Sequence, residues 1–283
     1  MSGGPDPIYV RARTALLDAA DALAKQLDSV VLVGAQAIYL HTGDADFAVA
    51  EYTTDADFCV APADLSDKPL LTESLEAHGF SLREHPGAWM SPDGIPVDLM
   101  VPEALAGPGS RGARLGPHGK QAARRAKGLE GALVHRERIR IASLQPGDAR
   151  TVAMLVAGPA ALLVAKVHKI AKRTGTGDRV SDKDALDVLR LLQAIDTATL
   201  AEGLVQLENH EISAAVTTEA VSQLAPLFGT PEASGIAMAT RAARPSAPAQ
   251  VVSASFMALI SDLLTATAGR RMGTESPLSG TAI

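Results

Sequence analysis

The chain has 283 residues, 47% of them apolar, which excludes a disordered protein and leaves room for two compact units. A formal charge of −6 excludes a surface coated uniformly for nucleic acid. A lone Cys59 excludes an intramolecular disulfide framework, and five Phe, one Trp and three Tyr are too few for an extended base-stacking platform.

In chain order, the start MSGGPDP lacks the basic and apolar regions of a signal peptide, so a cytoplasmic protein is expected. Between Ile8 and Leu27, the residues Leu16, Leu17, Ala20, Leu23 and Leu27 recur at helical spacing. Ser29 to Val33 reads as a buried strand ended by Gly34, and Ala35 to Leu40 as a short helix closed by Gly43. An acidic loop then leads to Asp55–Val60, which alternates with a period of two. Phe80–Arg83, Pro96–Val101 and Arg138–Leu144 are further strand candidates. The apolar run Val152–Ala165 is broken by Gly158-Pro159 and falls short of the ~20 residues of a membrane span. Helical patterns follow over Pro159–Arg173 and Asp182–Ile195, then in Ala- and Leu-rich stretches. Val251–Ala268 carries Asp262 and several hydroxyl residues, which favours a buried helix, so no membrane partner is expected. Turn residues at Gln145–Asp148 predict a boundary between residues 1–147, where helices and strands mix, and a helical unit over 148–283.

Charge is segregated along the chain. Residues 111–140 hold nine Lys or Arg against Glu130 and Glu137, a net of +7, whereas residues 41–67 hold seven acids and no Lys or Arg. One block attracts phosphate and the other repels it. Within the acidic block, Asp55 and Asp57 stand at i and i+2 of an extended segment, so both project from one face while Ala56, Phe58 and Val60 take the other. Like charges held that close call for a cation, and Mg²⁺ with carboxylates and substrate phosphates meets the need. Asp44-Ala45-Asp46-Phe47 has the same spelling but follows Gly43 in a loop, and reads as a solvated turn. Val33-Gly34-Ala35 turns a strand into a helix through glycine, which frees backbone N–H groups for phosphate. Asp98 faces away from the apolar stripe Ile95, Val97, Leu99 and Val101 and requires a partner, either a basic side chain or a metal. Three carboxylates from two strands suit two metals and in-line phosphoryl transfer. Lys166, Lys169 and Arg173 share one helix face, and Lys183, Asp184 and Asp187 open the next helix. No His or Cys spacing supports zinc, and no Gly-x4-Gly-Lys-Ser/Thr loop occurs.

Taken together, the Gly34-Ala35 turn, Tyr52-Thr53-Thr54-Asp55-Ala56-Asp57-Phe58 and Asp98 resemble the DNA polymerase beta nucleotidyltransferase superfamily. Val156-Ala157-Gly158-Pro159 with Lys166 to Ile170, then Asp182-Lys183-Asp184-Ala185-Leu186-Asp187, resemble its AbiEii and MenT-like toxin branch. That resemblance covers roughly Val30 to Leu192. It implies an α+β fold, with a nucleotidyltransferase-type mixed sheet flanked by helices, followed by a helical domain that adds Lys and Asp residues to the site. It further implies a type IV toxin that transfers a nucleoside monophosphate from NTP to an acceptor such as the tRNA 3′ end, with Mg²⁺ as cofactor and a small antitoxin as partner. Under this resemblance Asp55, Asp57 and Asp98 bind metal, and Lys166, Asp184 and Asp187 join them as catalytic residues. Gly34, Ala35, Thr53, Lys166, Lys169, Arg173 and Lys183 hold the nucleotide. One position departs from the branch: Glu51 stands where many relatives carry Arg. The basic block at 111–140 is the expected RNA surface. The alternatives are transfer to a protein side chain or a small hydroxylated molecule, and a non-catalytic binding module of the same fold.

Overall fold

The computed structural model describes residues 5–43, 52–173 and 179–274. Asp44-Ala45-Asp46-Phe47 and Glu51 therefore lie outside the described residues. Helix α1 (Pro7–Ala22) starts where Asp6 accepts a hydrogen bond from the Ile8 amide at 2.7 Å and Pro7 takes the first turn. A 3-10 turn over Ala24–Ser29 separates it from β1 (Val30–Val33), so the helix is shorter than its apolar spacing predicts. Strand β1 passes without a loop into α2 (Gly34–Thr42), which Gly43 ends at a φ of 56°.

After β2 (Ala56–Val60) come α3 (Leu71–Ala77), β3 (Ser81–Leu82), β4 (Ala88–Met90) and β5 (Pro96–Pro102). The chain continues through β6 (Arg124–Ala126), α4 (Gly131–Val134), β7 (Arg136–Ala142) and β8 (Thr151–Ala157). The sheet runs in the order β3-β4-β5-β2-β1-β8-β7, with β6 also on β5. It is mixed: β1 is antiparallel to β2 and parallel to β8, and β2 is parallel to β5. The apolar faces read from the sequence are buried, Ala56, Phe58 and Val60 on β2 and Val97, Leu99 and Val101 on β5, but Cys59 and Met100 on the opposite faces are buried as well, so burial alternates only at the start of each strand. Helix α1 lies across β2, β5 and β8 and packs on α3.

The expected boundary after residue 147 falls in the turn of the β7–β8 hairpin, and β8 joins the sheet beside β1. The sheet therefore ends at Ala157 rather than before residue 148, because β8 needs both β1 and β7 to satisfy its backbone. Six helices follow among the described residues: α5 (Pro159–Arg173), α6 (Arg179–Ala194), α7 (Thr197–Glu208), α8 (Ala214–Phe228), α9 (Ser234–Ala243) and α10 (Ala249–Thr274). Buried apolar side chains from the sheet and the helices form one continuous cluster. Among the described residues, helix α10 buries the stripe Val252, Phe256, Ile260, Leu263 and Thr267, with Phe256 stacked on Phe228 of α8 at 4.7 Å. It is also the one helix among the described residues long and apolar enough to cross a membrane.

Candidate functional site

The site grows from the junction of β1 and α2. Gly34 has a φ of 71°, and a Cβ on it would overlap Oδ2 of Asp57. Only glycine satisfies the backbone and the close approach together. No side chain caps α2, so its first amides are free of a capping partner beside Asp57. Asp57 pairs in register with Val33 on one side and with Asp98 of β5 on the other, which sets two carboxylates on neighbouring strands.

Asp55 is held twice. Thr53, fully buried, donates its hydroxyl to Oδ1 of Asp55 at 2.7 Å, and Gln36 donates its amide to the Asp55 carbonyl at 2.9 Å. Gln36 also donates to the Ala12 carbonyl at 3.0 Å and accepts from Arg13 Nε at 3.0 Å, so α1 and α2 jointly position this strand end. Burial pushes the Asp57 carboxyl up to about 7, and the neighbouring charges of Asp55 and Asp98 add to the rise against the opposing pull of Lys169 and Lys166.

Helices α5 and α6 supply the opposite charge. Lys166 is 6% exposed, and its Nζ donates to Asp184 Oδ1 and Asp187 Oδ2, both at 2.6 Å. Burial works against the Lys166 charge, but the two carboxylates outweigh it and raise its pKa above the ordinary lysine value. Burial likewise disfavours the Asp184 charge; Lys166 and Lys169 override it and hold the carboxyl down at about 2. Lys169 reaches Asp184 at 3.1 Å and Arg173 reaches it at 3.4 Å. Lys183 lies 5.4 Å from the Tyr52 ring centre and 6.0 Å from that of Tyr39. Its pKa is lowered, first by burial.

These groups line one cleft of about 1220 Å³. Ala35, Thr53, Asp55, Asp57, Lys166, Lys169, Lys183, Asp184 and Asp187 all border it. Of the other residues read from the sequence, Gly34 backs Asp57, Arg173 touches Asp184, and Asp98 stands beside Asp57.

Of the two partners read for Asp98 the structure shows the basic one, since Arg124 of β6 donates to its Oδ2 at 2.8 Å. Among the described residues no three His, Cys, Asp or Glu side chains gather into a metal-ligating group. As the side chains stand, the residues fit one divalent cation on Asp55 and Asp57, completed by phosphate oxygens and water, rather than two cations on three carboxylates.

The basic block also differs from a single patch. Arg124, Arg125, Lys127, Arg136 and Arg138 are paired with Asp98, Glu103, Glu219, Asp64 and Asp28. Strand β6 sits beside β5, whereas β7 forms the far edge of the sheet, so four strands separate the two halves of the block. Residues the sequence reading did not assign include Gln36, Tyr39, Arg124, Arg190, which lies 5.0 Å from the Tyr39 ring, and Arg241, which binds Asp182 through two donors. Tyr52 was visible only as part of a motif.

No family model matches the chain, and no curated protein matches it. Among solved structures it is similar to an antigenic nucleotidyltransferase-like protein from Paracoccidioides brasiliensis, with 15% identity, a TM-score of 0.42 and coverage of 76% of this chain and 88% of that one.

Proposed function

We propose that the chain is a metal-dependent nucleotidyltransferase that moves a nucleoside monophosphate from an NTP to an acceptor hydroxyl, the acceptor oxygen bonding the α-phosphorus as pyrophosphate leaves. The observation that carries this reading is the meeting, in one cleft, of a like-charged carboxylate pair at a helix N-terminus with lysines from two other helices. Mg²⁺ on Asp55 and Asp57 would neutralise phosphate charge and lower the pKa of the attacking hydroxyl. The chain's own residues do the positioning. Thr53 and Gln36 fix Asp55, and Gly34 lets the α2 amides stand against Asp57, where they meet phosphate oxygens. Lys166 locks Asp184 and Asp187 in place, while Lys169 and Lys183 present ammonium groups to the triphosphate.

The acceptor in this reading is an RNA end, most simply the tRNA 3′ end, approached over residues 111–140; the protein acts as a cytoplasmic type IV toxin countered by a small antitoxin. A second reading takes a protein side chain or small hydroxylated molecule as acceptor. It is favoured by the five internal ion pairs of the basic block, which leave less charge for an RNA backbone.

The test offers each of four α-labelled NTPs with bulk tRNA and Mg²⁺, with Asp57→Ala as control. Label in RNA that disappears in the variant is the expected result, and label on protein or a small molecule selects the second reading. If no acceptor takes label and titration calorimetry shows no Mg²⁺-dependent NTP binding, the fold acts as a non-catalytic module.

A further inference from the structure

The cleft is larger than its charged end requires. Small-molecule sites occupy roughly 300–1,000 Å³, and this one reaches about 1220 Å³ because it continues from Asp55 and Lys166 along α6 to α9 and α10. The far end has a different chemistry. Its walls carry Leu189, Ala247, Val251 and Val252, and two neutral polar side chains, Gln193 and Ser255. Neither the Gln193 amide nor the Ser255 hydroxyl has a hydrogen-bond partner among the described residues. Asp182, also on this wall, is already neutralised by Arg241 at 2.8 and 2.6 Å.

Exposure points the same way. Four large apolar side chains are exposed among the described residues, and two of them, Tyr52 and Val251, border this cleft. Exposed apolar groups at the rim of a concave site are the surface a ligand covers. Arg244, exposed and on the same wall, adds a planar cation suited to an aromatic face.

We infer that the α9–α10 end of the cleft is a nucleobase subsite, with Gln193 and Ser255 as hydrogen-bonding groups for the base edge and Val251 and Leu189 as its apolar walls. This rests on the proposed nucleotide-binding role of the charged end. A nucleobase is the occupant because it is neutral, flat, apolar on its faces and polar at its edge, and because it is joined through ribose to the phosphates that the lysine end attracts. Gln193 carries both a donor and an acceptor, which suits recognition of a base edge.

The experiment is titration calorimetry of the full chain in excess Mg²⁺, with inorganic tripolyphosphate and with each of the four NTPs. At least one NTP is expected to bind tenfold or more tightly than tripolyphosphate. Ser255→Phe, which fills the far end without adding charge, removes that preference and leaves tripolyphosphate affinity in place. Gln193→Leu, at an exposed position where folding is not at stake, lowers the preference severalfold and levels the differences among the bases. The inference is overturned if all four NTPs bind no better than tripolyphosphate, or if the preference survives both variants. If neither tripolyphosphate nor any NTP binds, the proposed function itself fails and the subsite fails with it.

Discussion

The carboxylates of β2 and those of α6 share one cleft and are settled in opposite ways. Asp184 meets Lys166 at 2.6 Å, Lys169 at 3.1 Å and Arg173 at 3.4 Å, and its carboxyl is held down at about 2. Asp57 meets burial and the like charges of Asp55 and Asp98, and its carboxyl is pushed up to about 7. The α6 acids are neutralised from within and serve as anchors that fix the lysine helix. Asp55 and Asp57 form no ion pair with a basic side chain among the described residues. Number of acids alone separates nothing; the count of cations within reach decides which group is structural and which is free to bind.

The largest expected effect tests the anchored side. Lys166→Met leaves Asp184 and Asp187 buried with one cation fewer, and breaking such a cluster costs about 3–5 kcal/mol. Chemical denaturation measures it. A loss under about 1 kcal/mol would mean that Lys169 and Arg173 alone neutralise the pair, and the contrast would weaken.

Asp57→Asn tests the other side and has the opposite sign. With the folded carboxyl at about 7 and the ordinary value at 3.8, the folded state binds more protons between those pH values. Stability of the parent protein therefore falls as pH rises through that window, and the penalty is complete above it. The variant is expected to be more stable than the parent by on the order of 1–2 kcal/mol at pH 8 and equal to it near pH 4, read from thermal melts at both. If the proposed nucleotidyl transfer is the activity, it falls by at least about a hundredfold in this variant. Equal melting profiles at pH 8 would show that Asp57 is not under strain.

The smallest effect sharpens the border between the two classes. Asp98 lies with the strained acids by register but is paired like the anchored ones, with Arg124 at 2.8 Å. Arg124→Gln frees that carboxylate, and Mg²⁺ binding measured by calorimetry is expected to tighten about threefold to tenfold. Unchanged binding would place Asp98 outside the cation's reach.

Legibility in the sequence followed the range of the interaction. The turn at Gly34 and the lysine helix over Pro159–Arg173 are local geometry and appear as read, and Asp55 and Asp57 both border the cleft, with Asp55 just ahead of β2. Strand β8 was hidden inside an apolar run that reads equally as helix, because its strand character comes from pairing with β1 and β7. Strands β4 and β6 are three residues long each, so neither shows a period. Gln36 bonds partners 19 and 24 residues away, and Arg241 finds Asp182 across 59. No spacing rule links residues that far apart.

The sequence by itself determined the chemistry on offer: two acids on one strand face, glycine at a strand-to-helix turn, and lysines and acids at helical spacing, all set by the repeat of the backbone. It also determined a net +7 over residues 111–140. Tertiary structure decided what each charge is worth. It divided the basic block between β6 and the far edge at β7, neutralised Asp184 and Asp187, tied Asp98 to Arg124, and left Asp55 and Asp57 to face the cleft. The physical reason is that the strength of a charge depends on burial and on neighbours within a few ångströms, and those neighbours come from elements remote in the chain.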